Sequence, residues 1–494
     1  MKMDFRSKLI LLCQFLIVFG ILMKFYGLND PWKRNDHYNY GGVWTTTFAE
    51  CLKTTPLSVS KGIPHMGCWT SEPYYYRNHP PTILFAMWGW TSIFGSSEAG
   101  YRTFILFFSV LNIFLLFQIA RLARPESDVF PWLAAAMQSI FLGGMYFGTH
   151  PDFLSEFTIT FILLMAWLAL KKRITLAAIG SLVATTTAWP GFLSLGPLWA
   201  YTFLIGRGRK RVFCFGVLGL VLVLSIMMWL HQRADIVDFL KTKLLDPGYV
   251  TKEEKGWFEP LLFLKNIVTS WARLLSPLLA TLAAAELIRG EGKFFVTDWH
   301  SRWKNLTPFH HAVLLAGGTG VIYAILGHEY FMVHVFLYQF MTPGLALLAA
   351  RFIEKWAQGE ATIATKKERI IITIMAVLFA ALYPYGIYQS SFVHDVFNSI
   401  LFIGSTLALI WLIWRPKRSA PALLGLVALC AFANASQTIN YRNEPDTERS
   451  FCEKARAEYE RTGQVVHTTE KRSDAKDFYC RGIPIEYEDQ KTAP

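Results

Sequence analysis

Charged residues are scarce in this sequence. Only 17% of its 494 residues are Asp, Glu, Lys or Arg, whereas 53% are hydrophobic and the mean hydropathy is +0.30. Soluble domains carry about 25% charged residues, so this composition excludes an ordinary soluble protein. The seven cysteines include no Cys-x-x-Cys pair, which argues against a zinc or dithiol motif. No internal repeat or low-complexity tract is evident either.

The sequence instead contains many long apolar runs. A bilayer core of about 30 Å needs about 20 mostly apolar residues per helix, and runs of that kind recur along the whole chain. They predict an all-α polytopic membrane protein with about 13 transmembrane helices. The predicted spans are 8–26, 101–122, 129–147, 152–170, 174–188, 191–206, 211–230, 261–288, 309–327, 330–352, 369–388, 395–414 and 419–437. The first has no small-residue cleavage site typical of a signal peptide, so we expect it to remain as a helix.

Basic residues are concentrated in every second loop. The clusters are Lys2/Arg6/Lys8, Arg121/Arg124, Lys171-Lys172-Arg173, Arg207/Arg209-Lys210-Arg211, Arg289/Lys293/Arg302/Lys304, Lys366-Lys367/Arg369 and Arg415/Lys417-Arg418. Short cytoplasmic loops are enriched in Lys and Arg, so these loops and the N-terminus are predicted to be cytoplasmic. The segment 27–100, the alternate turns and the C-terminus are then external. The net charge of +12 is explained by this topology, and no nucleic-acid partner is predicted.

Four of the cysteines lie in the predicted external segments. Cys51 and Cys68 are in the first of these, and Cys452 and Cys480 are in the C-terminal tail. Disulfides form in the periplasm or a secretory lumen, so we predict one bond in each segment. Four free thiols or a metal site are the alternatives.

Composition suggests three regions. Residues 1–230 would form an N-terminal transmembrane module that includes the external segment 27–100. Residues 231–437 would contribute a second external loop and the remaining helices. Residues 438–494 would form a small external tail with a short helix.

Ionisable side chains at membrane level are costly and mark functional sites by default. On the predicted external side they are Asp36, His37, Glu50, His79, Arg102, His150, Asp152, Glu156, His328, Glu329 and His334.

The order of these residues resembles the GT-C glycosyltransferases that use polyprenyl-phosphate sugars, a group that includes the protein O-mannosyltransferases and the aminoarabinose transferases of lipid A. Five motifs carry the resemblance, and it is best over residues 1–170 and weaker over 310–352. They are Asp36-His37-Tyr38 in the external segment, His79-Pro80-Pro81, Phe94-Gly95 with Glu98 and Arg102, Thr149-His150-Pro151-Asp152 leading to Glu156, and His328-Glu329-Tyr330 with Pro343.

The resemblance implies a membrane glycosyltransferase. Asp36 would be the general base for the acceptor hydroxyl, with Asp152 as the second catalytic acid, and the sugar carbon would be inverted. The residues expected to bind substrate are His37, Tyr38, His79, Arg102, Glu156, His328, Glu329 and Tyr330. The partners would be a polyprenyl-phosphate-linked sugar, membrane lipids and an acceptor lipid, glycan or protein. The cofactor is left unknown, with a divalent cation as one option.

Simpler interpretations exist for several of these residues. Asp36 is an ordinary surface acid if its loop is only a loop, and Asp152 would cap its helix. The prolines after His79 would simply start a helix, and Arg102 would pair with Glu98 at i,i+4. The His328 segment would then be a polar loop between two helices.

Two other functions also fit parts of the pattern. A secondary transporter has as many helices, but it is expected to show an internal repeat and midplane polar groups. An O-antigen ligase or polymerase also uses lipid-linked sugars, but its large external loop usually comes late in the chain. The membrane is predicted to be a bacterial inner membrane, with the endoplasmic reticulum as the alternative and the site facing the periplasm or lumen.

Overall fold

The computed structural model of the chain consists almost entirely of helices. It describes residues 4–28, 37–66, 68, 74–75, 79–152, 156–205, 208–232, 260–289, 306–326, 339–360, 365–388, 396–415, 419–442, 447–469, 476, 479–480 and 483–487. The helices of the first half are α1 (Phe5–Phe25), α2 (His37–Thr54), α3 (Leu57–Ser60), α4 (Thr82–Phe94), α5 (Glu98–Ala123), α6 (Phe130–Ile140), α7 (Leu142–Phe147), α8 (Glu156–Leu170), α9 (Ile174–Thr185), α10 (Trp189–Leu193), α11 (Leu195–Ile205) and α12 (Gly208–Gln232). Those of the second half are α13 (Pro260–Leu275), α14 (Pro277–Arg289), α15 (Pro308–Leu326), α16 (Thr342–Ala357), α17 (Lys366–Tyr388), α18 (Val396–Trp414), α19 (Ala420–Arg442) and α20 (Thr447–Thr462).

Several of these helices are long and apolar enough to cross a bilayer. Within the described residues they are Phe5–Phe25, Glu98–Ala123, Arg211–His231, Pro308–Leu326 and Ala420–Ile439, and shorter apolar helices accompany them. Large apolar side chains project outward from α12, where Val212 is 73% exposed and Phe213 is 62% exposed. Such side chains are stable in lipid and unfavourable in water. The chain is therefore an integral, multi-pass membrane protein.

Two predicted spans are each divided in the structure. The span 129–147 is interrupted at Phe141, and the Asn434 Nδ2 donates a hydrogen bond of 2.8 Å to the Ile140 carbonyl there. The span 261–288 is interrupted at Ser276, which has a φ of 74°. Pro277 follows and has no backbone N–H to donate within a helix. Both interruptions lie inside apolar runs, so the hydropathy pattern alone does not reveal them.

The predicted external segment 27–100 is largely helical where the structure describes it. It contains α2, α3 and the apolar α4, which has 13 residues and is short for a membrane span. A two-residue antiparallel pairing joins His65–Met66 (β1) to Tyr74–Tyr75 (β2). Cys51 is bonded to Cys68 across this segment, as the sequence predicts.

Polar contacts show which parts of the chain lie at each end of the helix bundle. At one end Arg6 pairs with Asp128, and Glu354 pairs with Arg351 at 2.7 Å. At the other end Glu98, the first residue of α5, pairs with Arg449 of the tail helix α20 at 2.6 Å. The N-terminus of α1 and the tail therefore lie at opposite ends, and the tail shares its end with the external segment. That relative arrangement agrees with the basic-residue pattern, although the direction in the membrane remains a prediction.

The tail is a small cross-linked unit. Val466–Thr468 (β3) and Ile485–Tyr487 (β4) pair in parallel, and Cys452 is bonded to Cys480, as predicted. Tyr479 packs against the apolar cluster formed by α2, α4 and α5. The tail thus covers the external segment. The division of the chain at residues 230 and 437 stays a prediction, and α19 continues past the second boundary to Arg442.

Helices α15 and α16 pack against each other through small residues. A Cβ atom added to Gly344 of α16 would lie 2.8 Å from the Gly317 Cα of α15. Such a contact between backbones is possible only when both residues lack a side chain. It fixes α16 closely against the helix before it.

Candidate functional site

A set of buried polar side chains lies where α1, α5 and α8 meet. Lys24, in the last turn of α1, is 1% exposed and donates a hydrogen bond to the Ser109 hydroxyl of α5. One helical turn away, Asn112 donates from Nδ2 to the carboxylate of Glu156 and, at 3.0 Å, to its backbone carbonyl. Glu156 is the first residue of α8 and is 2% exposed. A lysine and a glutamate are therefore enclosed between three helices.

The two ionisable residues of this set are anchored one helical turn apart, because Lys24 contacts Ser109 and Glu156 contacts Asn112 of α5. Lys24 also lies against Gly148, where an added Cβ would be 3.0 Å from the Lys24 Nζ. Lys24 therefore reaches the turn of residues 148–152 between α7 and α8.

This turn is held from two further directions. Arg102 of α5, which is 1% exposed, donates a long hydrogen bond of 3.5 Å from Nη1 to the Thr149 carbonyl. The His150 Nδ1 lies 2.9 Å from the Tyr146 carbonyl, and the His150 ring packs on the Tyr146 ring. Asp152 follows and is only half-buried. The turn that Lys24 and Arg102 contact therefore also carries a partly exposed carboxylate, Asp152.

A second polar cluster joins the external segment to α5. The Glu50 carboxylate accepts hydrogen bonds from Lys53, at 2.9 Å, and from the Tyr101 hydroxyl, and Lys53 also donates to Ser96 at 2.6 Å. Burial raises the pKa of Glu50, but the hydrogen bonds of Lys53 and Tyr101 and the positive charge of Lys53 outweigh it. The net effect is a pKa below the usual value, so Glu50 is ionised near neutral pH. The cluster fixes α2 against the start of α5.

His79 lies in an apolar position at the end of α12. It is 8% exposed, and its ring meets the Trp229 ring edge to face, with 6.2 Å between the centroids. The adjacent Thr82 donates a hydrogen bond to Thr186 after α9, at 3.1 Å. Burial lowers the pKa of His79 to about 3. The His79-Pro80-Pro81 loop therefore connects the external segment to α9 and α12 with a neutral imidazole.

We expect this burial to make stability depend on pH. An unfolded histidine has a pKa near 6.5, whereas His79 in the folded protein stays neutral down to about pH 3. Between these values the unfolded state binds the additional proton, so His79 lowers stability by about 1.4 kcal/mol for each pH unit below 6.5. Above pH 6.5 it has no such effect. The thermal unfolding midpoints of the wild type and of His79→Gln at pH 7.5 and pH 5 measure this contribution.

The variant should lose less stability than the wild type on acidification. Because other groups titrate in both proteins, only the difference between them reports on His79. An equal loss in both proteins would mean that His79 is accessible to protons, contrary to its burial.

The predicted site residues divide into three groups. Arg102, His150 and Asp152 lie in or on the same turn, with Glu156 directly after it. His79 is buried elsewhere, at the contact with Trp229. The structure does not describe Asp36, His328, Glu329, Tyr330 and His334, or the side chains of His37 and Tyr38. The simple pairing of Arg102 with Glu98 is not what the structure shows, because Glu98 pairs with Arg449.

Sequence reasoning did not find Lys24, Ser109 and Asn112. The sequence does hold two signals for these residues. Lys24 is a lysine near the end of a predicted span, and Asn112 is an amide within the apolar run of α5. The sequence identifies Glu50 as an ionisable residue but does not indicate its partners, Lys53 and Tyr101. As for metals, no three His, Cys, Asp or Glu side chains come together as a possible ligand set in the described ranges.

The sequence matches no family model and no curated protein. Solved structures do resemble it. ArnT from Cupriavidus metallidurans in the apo state superimposes with a TM-score of 0.54 and 12% identity over 96% of this chain and 84% of that chain. The same protein bound to undecaprenyl phosphate gives a TM-score of 0.56 and 12% identity over 98% and 86% of the two chains.

ArnT is a member of the GT-C superfamily. This chain has the GT-C fold. An archaeal oligosaccharyltransferase, AglB from Archaeoglobus fulgidus, superimposes less well, at a TM-score of 0.49 and 12% identity over 97% of this chain and 64% of that chain. The resemblance that the motifs indicated is therefore confirmed for the GT-C fold, through the ArnT structures. At 12% identity the roles of individual residues do not transfer with it.

Proposed function

We propose that the protein is a membrane glycosyltransferase that moves a sugar from a polyprenyl-phosphate donor to an acceptor at the external membrane face. The observation that carries this proposal is the turn of residues 148–152. This turn is contacted by the buried cations Lys24 and Arg102, carries the partly exposed Asp152, and lies at the end of the bundle that bears the external segment. The fold supports the proposal, because ArnT has been solved with undecaprenyl phosphate bound.

The proposed transfer is a single displacement at C1 of the sugar. The acceptor hydroxyl oxygen attacks C1 of the sugar, its proton passes to a carboxylate, and the bond between C1 and the phosphate oxygen breaks. The electron pair leaves with the polyprenyl phosphate, so negative charge grows on that phosphate. Fixed positive groups stabilise such charge best where water is excluded, as at Arg102. Attack opposite to the leaving phosphate inverts the sugar carbon.

We assign the proton transfer to Asp36, with Asp152 as the second catalytic carboxylate. Asp36 directly precedes α2, whose C-terminal half is fixed to α5 through Glu50. The remaining proposed contacts with substrate are Arg102, His79, His37, Tyr38, His328, Glu329 and Tyr330. A divalent cation is left open.

The proposed location is a bacterial inner membrane with the site facing the periplasm, and the endoplasmic reticulum lumen is the alternative. Both compartments are oxidising, and the disulfides in the external segment and in the tail fit either of them. The acceptor would be a lipid, a glycan or a protein. No nucleic acid takes part.

The experiment that tests this function compares lipid-linked sugars and envelope glycoconjugates by mass spectrometry in cells with and without the protein. We expect one sugar to disappear from an acceptor and its polyprenyl-phosphate form to accumulate, with wild-type protein restoring both. Unchanged lipid-linked sugars, together with substrate uptake by the protein in proteoliposomes, would instead indicate a transporter. Accumulation of a sugar chain linked through diphosphate would favour the O-antigen ligase or polymerase class.

A further inference from the structure

The contacts of Lys24 and Glu156 suggest a role for these two residues that differs from substrate binding. Both are almost completely buried, at 1% and 2% exposure. The Lys24 ammonium donates to Ser109, and the Glu156 carboxylate accepts from Asn112 one helical turn further along α5. Their polar groups are thus directed at other protein groups.

Two buried polar residues that are held by one stretch of α5 are sensitive to the loss of either member. Removing one takes away the hydrogen bond of its buried α5 partner, Ser109 or Asn112. Because these partners lie one turn apart on the same helix, the two residues are expected to behave as one unit in mutational tests, with effects that do not add.

This unit lies directly against the turn that carries Asp152. Lys24 meets the turn at Gly148, its first residue, where an added Cβ would lie 3.0 Å from the Lys24 Nζ. Glu156 is four residues beyond Asp152 and fixes the start of α8 through Asn112. The turn is therefore attached to α1 at one end and to α5 at the other.

We propose that Lys24 and Glu156 form a positioning unit that fixes the turn of residues 148–152 and thereby the location of Asp152. Glu156 then acts through the turn and does not contact the substrate. The kinetic part of this proposal rests on the proposed function, but the structural part does not.

The first test measures how accessible position 152 of the turn is to a chemical label, and it needs no enzymatic assay. Asp152→Cys is combined with Lys24→Met, with Glu156→Gln or with both, and the labelling rate by a membrane-impermeant maleimide is measured in purified protein. The other free cysteines, Cys13, Cys214 and Cys430, are buried, so the new thiol dominates the signal. Each single change should alter the labelling rate by about threefold or more, and the double change should differ little from the singles.

A matched control is available at the opposite end of the bundle. Lys355 and Glu286 form a partly buried pair, at 2.6 Å, with Lys355 17% and Glu286 2% exposed. Lys355→Met and Lys355→Met with Glu286→Gln should leave the labelling of Asp152→Cys unchanged. If Lys24→Met does not fold, Glu156→Gln, which keeps nearly the same side-chain shape, provides the comparison. Unchanged labelling in the Lys24 and Glu156 variants would overturn the proposal.

The second test uses the chain with Asp152 in place. The double variant should lower kcat about tenfold or more while the KM for the lipid donor changes less than about twofold. Lys24→Arg, which keeps the charge, should recover part of kcat. A rise in KM for the donor with kcat unchanged would instead make Lys24 or Glu156 a substrate contact and overturn the positioning role. If the wild type transfers no sugar, the proposed function fails, while the labelling result still decides the structural part.

Discussion

Asp36→Asn is expected to lower sugar transfer by about 10²- to 10⁴-fold, the usual contribution of a positioned general base. An amide has nearly the same shape as the carboxylate but does not accept the proton of the acceptor hydroxyl. The loss should appear in kcat, and binding of undecaprenyl phosphate, measured by native mass spectrometry, should persist. The measurement is single-turnover transfer by purified protein from the donor that accumulates in cells lacking it.

The matched control is Asp30→Asn, which changes another acid six residues earlier in the same segment. It should retain nearly full activity. Asp152→Asn provides the comparison within the site, and we expect a smaller loss for a carboxylate that orients the reactants than for the base itself. If Asp36→Asn retains more than half of the activity while Asp152→Asn is inactive, the base is Asp152 and the role of Asp36 is wrong.

Most of the membrane helices could be predicted because their cause is local. A run of apolar residues is stable in lipid wherever it occurs, so the spans at α1, α5 and α12 follow from composition alone. The helix breaks at Phe141 and Ser276 could not be predicted in this way, since both adjoining segments are equally apolar. The break at Phe141 depends in part on Asn434, which is almost 300 residues away in the chain and satisfies the Ile140 carbonyl.

The candidate site was predicted at the level of residue type but not of contacts. Arg102, Asp152 and Glu156 stood out because ionisable groups are rare near apolar runs. Their partners could not be found from sequence, because Lys24 and Glu156 belong to different helices and meet only when α1, α5 and α8 pack together. The same holds for Glu98. The sequence offers Arg102 as a partner at i,i+4, but in the structure Glu98 pairs with Arg449 of the tail.

Removing the disulfide of the external segment with Cys51→Ser and Cys68→Ser should cost about 3 kcal/mol of stability in that segment, as expected for a bond that closes a loop of this length. Cys51 is fully buried in the last turn of α2 and directly follows Glu50. Loss of the disulfide is therefore expected to loosen the contact between Glu50 of α2 and Tyr101 as well. We expect sugar transfer to fall with it, because the proposed base directly precedes α2.

Trypsin cleavage after Lys61, which lies between the two cysteines and is exposed, measures the loosening of this loop. The double serine variant should be cut there much faster than the wild type. Cys452→Ser with Cys480→Ser is the matched control, since it removes a disulfide on the same side of the protein but leaves the loop closed. If that control variant is cut after Lys61 as fast as the double serine variant of the loop, the tail and not the loop disulfide holds the segment in place. If neither variant does, the packing of α2 on α5 is sufficient by itself, and the disulfide is not required for the fold of the external segment.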